Sequence, residues 1–267
     1  GGSLRLVTGD AGTGKSFMLR ACDAAWKAER KRVFGCALAG AAADELERSS
    51  GVKSTTLHSL LARLEHGRLT LDGRSVVVLD EAGMVGSRLF SRLVREVAKS
   101  GAKLVCVGDA KQLAPIEAGW IFKRMSALHG EARLTHVRRQ EVPWQLDAGR
   151  LMGQGESLKA LMEYQAHERL TVSKTTRVAV RELVSQWEKD GGARTPENKL
   201  ILASTNAEVR EINRQCQARR LLLPGANTDR KVFHEGAFFY EGDRVLFSKR
   251  MTKQKIENSW VGTVEKA

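Results

Sequence analysis

No apolar run in this sequence approaches the length that spans a membrane, and no signal-peptide pattern opens it, so membrane insertion is not expected. Cysteine is scarce. Cys22, Cys36, Cys106 and Cys216 form no C-x-x-C pair and have no histidine nearby at metal-ligand spacing, so they make no metal site. Three of the four lie in apolar segments, the setting of buried, reduced thiols in a cytosolic protein. Internal repeats and low-complexity segments are also missing, which removes solenoids and disordered linkers from consideration.

What remains is a chain of 267 residues, enough for one large domain or two modest ones. Its 42% hydrophobic and 28% charged content is that of an ordinary globular protein. Acidic residues are outnumbered, 31 against 44 Lys and Arg, leaving a net charge of +13. That excess suits a polyanionic partner such as nucleic acid. A generally basic surface would produce the same number, so charge alone does not choose.

Apolar runs of strand length, "LRLVT", "RVFGCAL", "SVVVLDEA" and "KLVCVGD", alternate with helical patterns over the first half of the chain. Residues 15–29 place Met18, Leu19, Cys22 and Trp26 at helical spacing, and "SRLFSRLVREVAKSG" repeats Leu89, Leu93 and Val97 before stopping at Gly101. Such alternation predicts an α/β fold with a parallel, doubly wound sheet and ligands at the carboxyl ends of its strands. After about residue 140 the pattern changes. "ESLKALMEYQ" and "TRVAVRELVSQWEKDGG" read as helices, the second with Val180, Leu183, Val184 and Trp187 on one face. "NKLILASTN" reads as a buried strand opening a second lobe. From residue 231, "KVFHEGAFFYEGDRVLFSKR" and "SWVGTV" read as short strands of a small barrel.

"GDAGTGKS", residues 9–16, satisfies G-x-x-x-x-G-K-[ST] between a predicted strand and a predicted helix. Its backbone N–H groups and the helix N-terminus suit phosphate oxygens. The candidate nucleotide-binding residues are therefore Gly9, Asp10, Ala11, Gly12, Thr13, Gly14, Lys15 and Ser16. Lys15 would reach the β- and γ-phosphates of ATP, and Ser16 would ligate Mg²⁺. "VVVLDEAGMV" ends a strand on Asp80, a second metal candidate, and Glu81, a candidate base for the attacking water. Two acids at a strand end can also be solvated surface, and a glycine turn can be only a turn. In "GDAKQLAPIEAG", residues 108–119, Asp109 and Gln112 sit at the tip of the next core strand. An amide both donates and accepts, so Gln112 can sense the γ-phosphate or its attacking water.

Together with "HVRRQ", these stretches resemble motifs I to IV of superfamily 1 helicases of the RecD-like kind, and "TLHSLL", residues 56–61, resembles a further motif of that group beside the DNA path. "RRQEVPWQLDAGRLMGQGESLKALMEYQ", "LASTNAEVREIN" and "GDRVLF" followed by "NSWVGTV" are similar to the helicase region of Ti-plasmid-type conjugative relaxases. The resemblance implies two RecA-like lobes in a bacterial, cytoplasmic motor that uses ATP and Mg²⁺ to move 5′→3′ on single-stranded DNA, with other conjugation-machinery proteins as partners. It implies a first lobe over 1–140, linker helices and the start of a second lobe over 141–230, and a partial SH3-like β insertion over 231–267. Arg139 matches the arginine that stabilises charge on the transferring phosphoryl group, with Arg138 its neighbour. Ala39 and Gly40, Thr56 and His58, and Thr205 and Asn206 match the segments that touch the DNA backbone. Trp120, Trp144 and Trp187 could stack on bases or fill a core.

The family's upstream adenine-gripping glutamine and its later motifs have no counterpart here. Either a piece of a longer relaxase–helicase or a truncated gene product is therefore expected, one that binds ATP–Mg²⁺ without robust unwinding. The competing readings are a RecD-like repair helicase and a non-hydrolysing, nucleotide-gated DNA-binding module.

Overall fold

The computed structural model describes residues 3–10, 12–109, 121–135, 140–234, 236–248, 251, 254, 256 and 260–266. Ala11, Gln112, Trp120, Arg138 and Arg139 lie outside the described residues. Two compact units divide the chain, residues 1–166 and 167–267.

The first unit is built on a six-stranded sheet in the order β3-β2-β4-β5-β1-β6. Its strands are β1 (Leu4–Gly9), β2 (Arg32–Ala37), β3 (Ser54–Thr56), β4 (Ser75–Leu79), β5 (Lys103–Gly108) and β6 (Ala132–Leu134). Every neighbouring pair runs parallel, with Leu4 beside Leu104, Val77 beside Leu104 and Cys36 beside Leu79. Parallel strands covered on both faces lose the polar alternation of half-exposed strands. Accordingly all five residues of β4, Ser-Val-Val-Val-Leu, are buried.

Helices α1 (Lys15–Ala28) and α2 (Gly40–Ser50) pack on one face, where Leu19 and Leu46 meet Val7, Val76, Val78, Val105 and Val107. The opposite face takes α3 (Leu57–Glu65), α4 (Ser87–Ser100) and α5 (Ile121–His129) over Leu6, Val77, Leu79, Leu104 and Cys106. Leu89, Phe90, Leu93 and Val97 form the buried stripe of α4, and Gly101 ends the helix at φ 68°. The thiols are free. Burial raises Cys106 to about 12 and Cys36 further still, so neither is a thiolate at neutral pH.

A helical hairpin, α6 (Pro143–Gly153) and α7 (Ser157–Ala166), closes this unit. Trp144 stands edge-on to Tyr164 with ring centroids 5.2 Å apart, so its ring is used in packing the hairpin.

In the second unit α8 (Thr176–Lys189) and α9 (Asn206–Leu221) join through Val180, Val184 and Ile212, with Ile201 and Cys216 against them. This stripe is narrower than expected. Leu183 is exposed, and the Trp187 indole lies so close to Gly192 that a Cβ there would come within 2.3 Å of it. The strand expected within 198–206 does not form: 198 ends a short 3-10 turn (Pro196–Asn198), and 199–205 has no sheet partner. Only one side of this segment is packed, through Ile201, while Leu200 and Leu202 are 83% and 81% exposed. A strand needs a neighbour to hydrogen-bond with, and none runs beside it among the described residues.

The C-terminal strands do form, as two separate antiparallel pairs: β7 (Lys231–His234) with β8 (Ala237–Tyr240), and β9 (Arg244–Leu246) with β10 (Val261–Thr263). Asp243, 7% exposed, ties them to α9. Its carboxylate accepts from Gln217 Nε2 at 2.6 Å, Arg220 at 2.5 Å and the Tyr240 N–H at 2.8 Å.

Thr205 opens α9 with a full capping box: its hydroxyl accepts the Glu208 N–H, and the Glu208 carboxylate accepts the Thr205 N–H. Thr205→Ala should destabilise the second unit by about 1 kcal/mol in chemical denaturation.

Candidate functional site

Because the sheet is wholly parallel, the carboxyl ends of all its strands lie along one edge. The 9–14 loop leaves β1 there and enters α1 at Lys15. Gly12 and Gly14 take φ of 80° and 85°, left-handed values that build anion-binding nests and strain any residue with a Cβ. Gly9 is required for a different reason: a Cβ on it would meet Thr13 Oγ1 at 2.5 Å. The loop is closed by Thr13, whose hydroxyl donates to the Asp10 carbonyl at 2.8 Å. Lys15 arches back over it and donates to the carbonyls of Gly9 at 2.7 Å and Asp10 at 3.1 Å. Ser16 follows on the first turn of α1, half-buried.

Asp80 and Glu81 leave the end of β4. The Asp80 N–H still bonds the Cys36 carbonyl of β2 at 2.9 Å, and the Asp80 carboxylate accepts the Glu81 N–H at 2.9 Å. Glu81 sits at φ 49°, ψ 40°, a left-handed conformation that costs a non-glycine residue about 1–2 kcal/mol. Its Oε2 is buried with no hydrogen-bond partner. Burial raises the pKa of Asp80, opposed by the Glu81 N–H and by Lys15. Burial also raises Glu81, and Asp80 and Asp109 add to the effect while Lys15 opposes it. The structure thus brings Lys15, Asp80, Glu81 and Asp109 into one electrostatic group.

Strand order explains the convergence. β5 lies between β4 and β1, so Gly108 and Asp109 emerge between the acidic turn and the phosphate loop. Thr8, buried with an unpartnered hydroxyl just before the loop, did not stand out in the sequence. Its only signal is a polar residue at the last inward position of an apolar strand. A cleft of about 430 Å³ beside α1, lined by Leu4, Arg5, Trp26 and Lys103, lies towards the opposite ends of the strands.

Of the residues matched to DNA contacts, four share the carboxyl edge. Ala39 and Gly40 open α2, with no side chain capping the helix. Thr56 caps α3, its hydroxyl accepting the Ser59 N–H at 3.2 Å, and His58 is exposed on the first turn. The pairing of Ala37 with Thr56 sets these two helix starts side by side. Thr205 and Asn206 open α9 in the second unit. Both threonine hydroxyls are therefore engaged as caps. Among the described residues no group of His, Cys, Asp and Glu could hold a metal ion by itself.

The model that matches residues 1–175 is that of the AAA domain. The chain belongs to the AAA-domain family. Over 98% of its length this AAA-domain chain is 37% identical to the probable conjugal transfer protein TraA of Sinorhizobium fredii, of which it covers 24%. It is 32% identical over 144 residues to the ATP-dependent RecD2 DNA helicase of Deinococcus radiodurans, a match spanning 52% of this chain and 20% of that protein. The chain thus spans about a quarter of the length of the curated conjugal transfer relatives it matches. Its fold is similar to that of the Pif1 helicase from Candida albicans, with a TM-score of 0.54 at 17% identity over 99% of this chain and 65% of that one. The sheet of this AAA domain is accordingly RecA-like.

Proposed function

We propose that this AAA domain is the ATP-hydrolysing helicase or translocase region of a conjugative DNA-transfer protein, acting on single-stranded DNA in the cytoplasm with 5′→3′ polarity. The observation that carries the reading is the gathering of Lys15, Asp80, Glu81 and Asp109 on the sheet edge where α2 and α3 begin. Residues 1–140 would form the first RecA-like lobe, 141–230 the linker helices and start of a second, and 231–267 a partial SH3-like insertion, the 143–166 hairpin being linker that packs within the first compact unit. The likeness to a conjugal transfer protein along 98% of the chain favours DNA transfer over repair, since the RecD2 match spans 52%.

The residues fit a magnesium-bound nucleotide. The glycine nest, the Lys15 ammonium and the unpartnered Glu81 Oε2 are what a triphosphate and an attacking water require. Ser16 and Asp80 would hold the ion, which when bound supplies charge neutralisation at the phosphates. Residues 9–16 would grip the phosphates of ATP, with Lys15 exchanging two carbonyl partners for phosphate oxygens. Glu81 would orient the water and take its proton. Gln112 would contact the γ-phosphate, and Arg139 would stabilise the charge that develops on it. Ala39 and Gly40 at the start of α2, Thr56 and His58 at the start of α3, and Thr205 and Asn206 would touch DNA phosphates, which position a strand without reading its sequence.

The test is Mg²⁺-dependent ATP hydrolysis by the 267-residue chain, with and without a single-stranded oligonucleotide, against Lys15→Ala. Weak turnover that the oligonucleotide increases and Lys15→Ala abolishes is expected. Turnover no higher than in Lys15→Ala would leave only a nucleotide-gated binding module.

A further inference from the structure

Two glycines of the site are not explained by their backbone angles. Gly83 and Gly108 are both absent from the positive-φ residues, so any amino acid could adopt their conformations. Space is what excludes a side chain. A Cβ on Gly83 would meet the Asp109 carbonyl oxygen at 2.9 Å. One on Gly108 would meet the Gly83 nitrogen at 3.1 Å, the Ala82 nitrogen at 3.3 Å and Phe122 Cε1 at 3.2 Å. The turn after β4 and the turn after β5 therefore touch backbone to backbone. Ala82 and Gly108 are buried and Phe122 is 2% exposed, so the contact is backed by α5.

The contact bears directly on Glu81. A non-glycine residue stays in the left-handed region only where its surroundings over-determine it. On one side the Asp80 carboxylate holds the Glu81 N–H, and on the other Ala82 and Gly83 are pressed against Gly108 and Asp109. We propose that Gly83 and Gly108 are positioning residues, whose side-chain-free seat holds Glu81 in its hydrolytic orientation and makes the turn of β5 mechanically continuous with it. This rests on the reading of Glu81 as the base of an ATPase. A shift of Gly108 or Asp109 has no compressible side chain in which to dissipate, and it reaches Glu81 within two residues of the contact.

The test places Ala at Gly83 and at Gly108, with Gly149→Ala as control, since a Cβ there meets nothing within 4 Å. Displacing a catalytic group by a few tenths of an ångström should lower kcat about ten-fold or more, with KM for ATP and affinity for ADP within about two-fold of the parent. In a second arm, hydrogen–deuterium exchange at residues 81–85 is measured in Gly108→Ala, and these amides should exchange several-fold faster. Gly149→Ala should change neither readout. Circular dichroism and ADP binding report folding. Should Gly108→Ala not fold, Gly108→Ala with Phe122→Leu relieves the aromatic side and keeps the squeeze on Gly83. Unchanged kcat and unchanged exchange would overturn the inference, as would equal losses of kcat and ADP affinity. Absence of turnover in the parent chain would defeat the ATPase reading instead, while the exchange arm still decides the contact.

Discussion

Glu81→Gln should retain nucleotide binding and lose turnover by about 10²–10⁴-fold, the range of a positioned general base. The amide keeps the shape of the side chain but cannot take a proton from water. The same substitution should raise the thermal midpoint of the first unit near neutral pH. Burial and the neighbouring Asp80 raise the Glu81 pKa, so the folded chain binds that proton more tightly than the unfolded chain does. At pH values above the raised pKa the ionised carboxylate therefore opposes folding. As pH falls through the raised pKa towards the ordinary value of about 4.3, that opposition is relieved. The parent chain should accordingly gain on Glu81→Gln in stability over this window. Calorimetric scans at several pH values would check it, and a variant less stable than the parent at neutral pH would contradict it.

Asp243→Ala should destabilise the second unit by about 3–5 kcal/mol, because it leaves Arg220 as an uncompensated buried charge. The two side chains are 14% and 9% exposed, and the same carboxylate also accepts Gln217 and the Tyr240 N–H. Arg220 has a second anchor on the Glu241 carbonyl at 2.9 Å, and its Nε is already buried without a partner. The first unit contains none of these groups. Unfolding followed by calorimetry or exchange should show the loss confined to residues 167–267. Arg220→Met added to Asp243→Ala should recover part of it, since the stranded charge is then gone. Equal stability of Asp243→Ala and the parent would show that water reaches the pair.

The first unit was legible in the sequence because its strands are buried on both faces. "SVVV" can be little else, and the glycines of "GDAGTGKS" have a local purpose. Legibility fell where an outcome depends on distant residues. "NKLILASTN" has the composition of a core strand, yet composition cannot supply the neighbour it needs, and Leu200 and Leu202 stand in solvent. Thr56 and Thr205 stood out as matches to DNA-contacting segments, and such a match does not report that their hydroxyls cap helices. Gly83 and Gly108 meet across 25 positions of sequence, and no spacing rule reports such a contact. The left-handed Glu81 was likewise hidden, since nothing in "LDEAG" names the residue that takes the strained angle.

The order of the strands also bears on how the protein is made. Of the six strands of this sheet β1 is synthesised before the rest, yet its neighbours are β5 and β6, with Leu4 beside Leu104 and Val7 beside Ala132. Until β5 has been synthesised, about a hundred residues later, the strand that carries the phosphate loop has nothing to pair with. Closing so long a loop is slow, and contacts of this kind form late. Nascent chains ending before Lys103 should therefore remain blind to ATP.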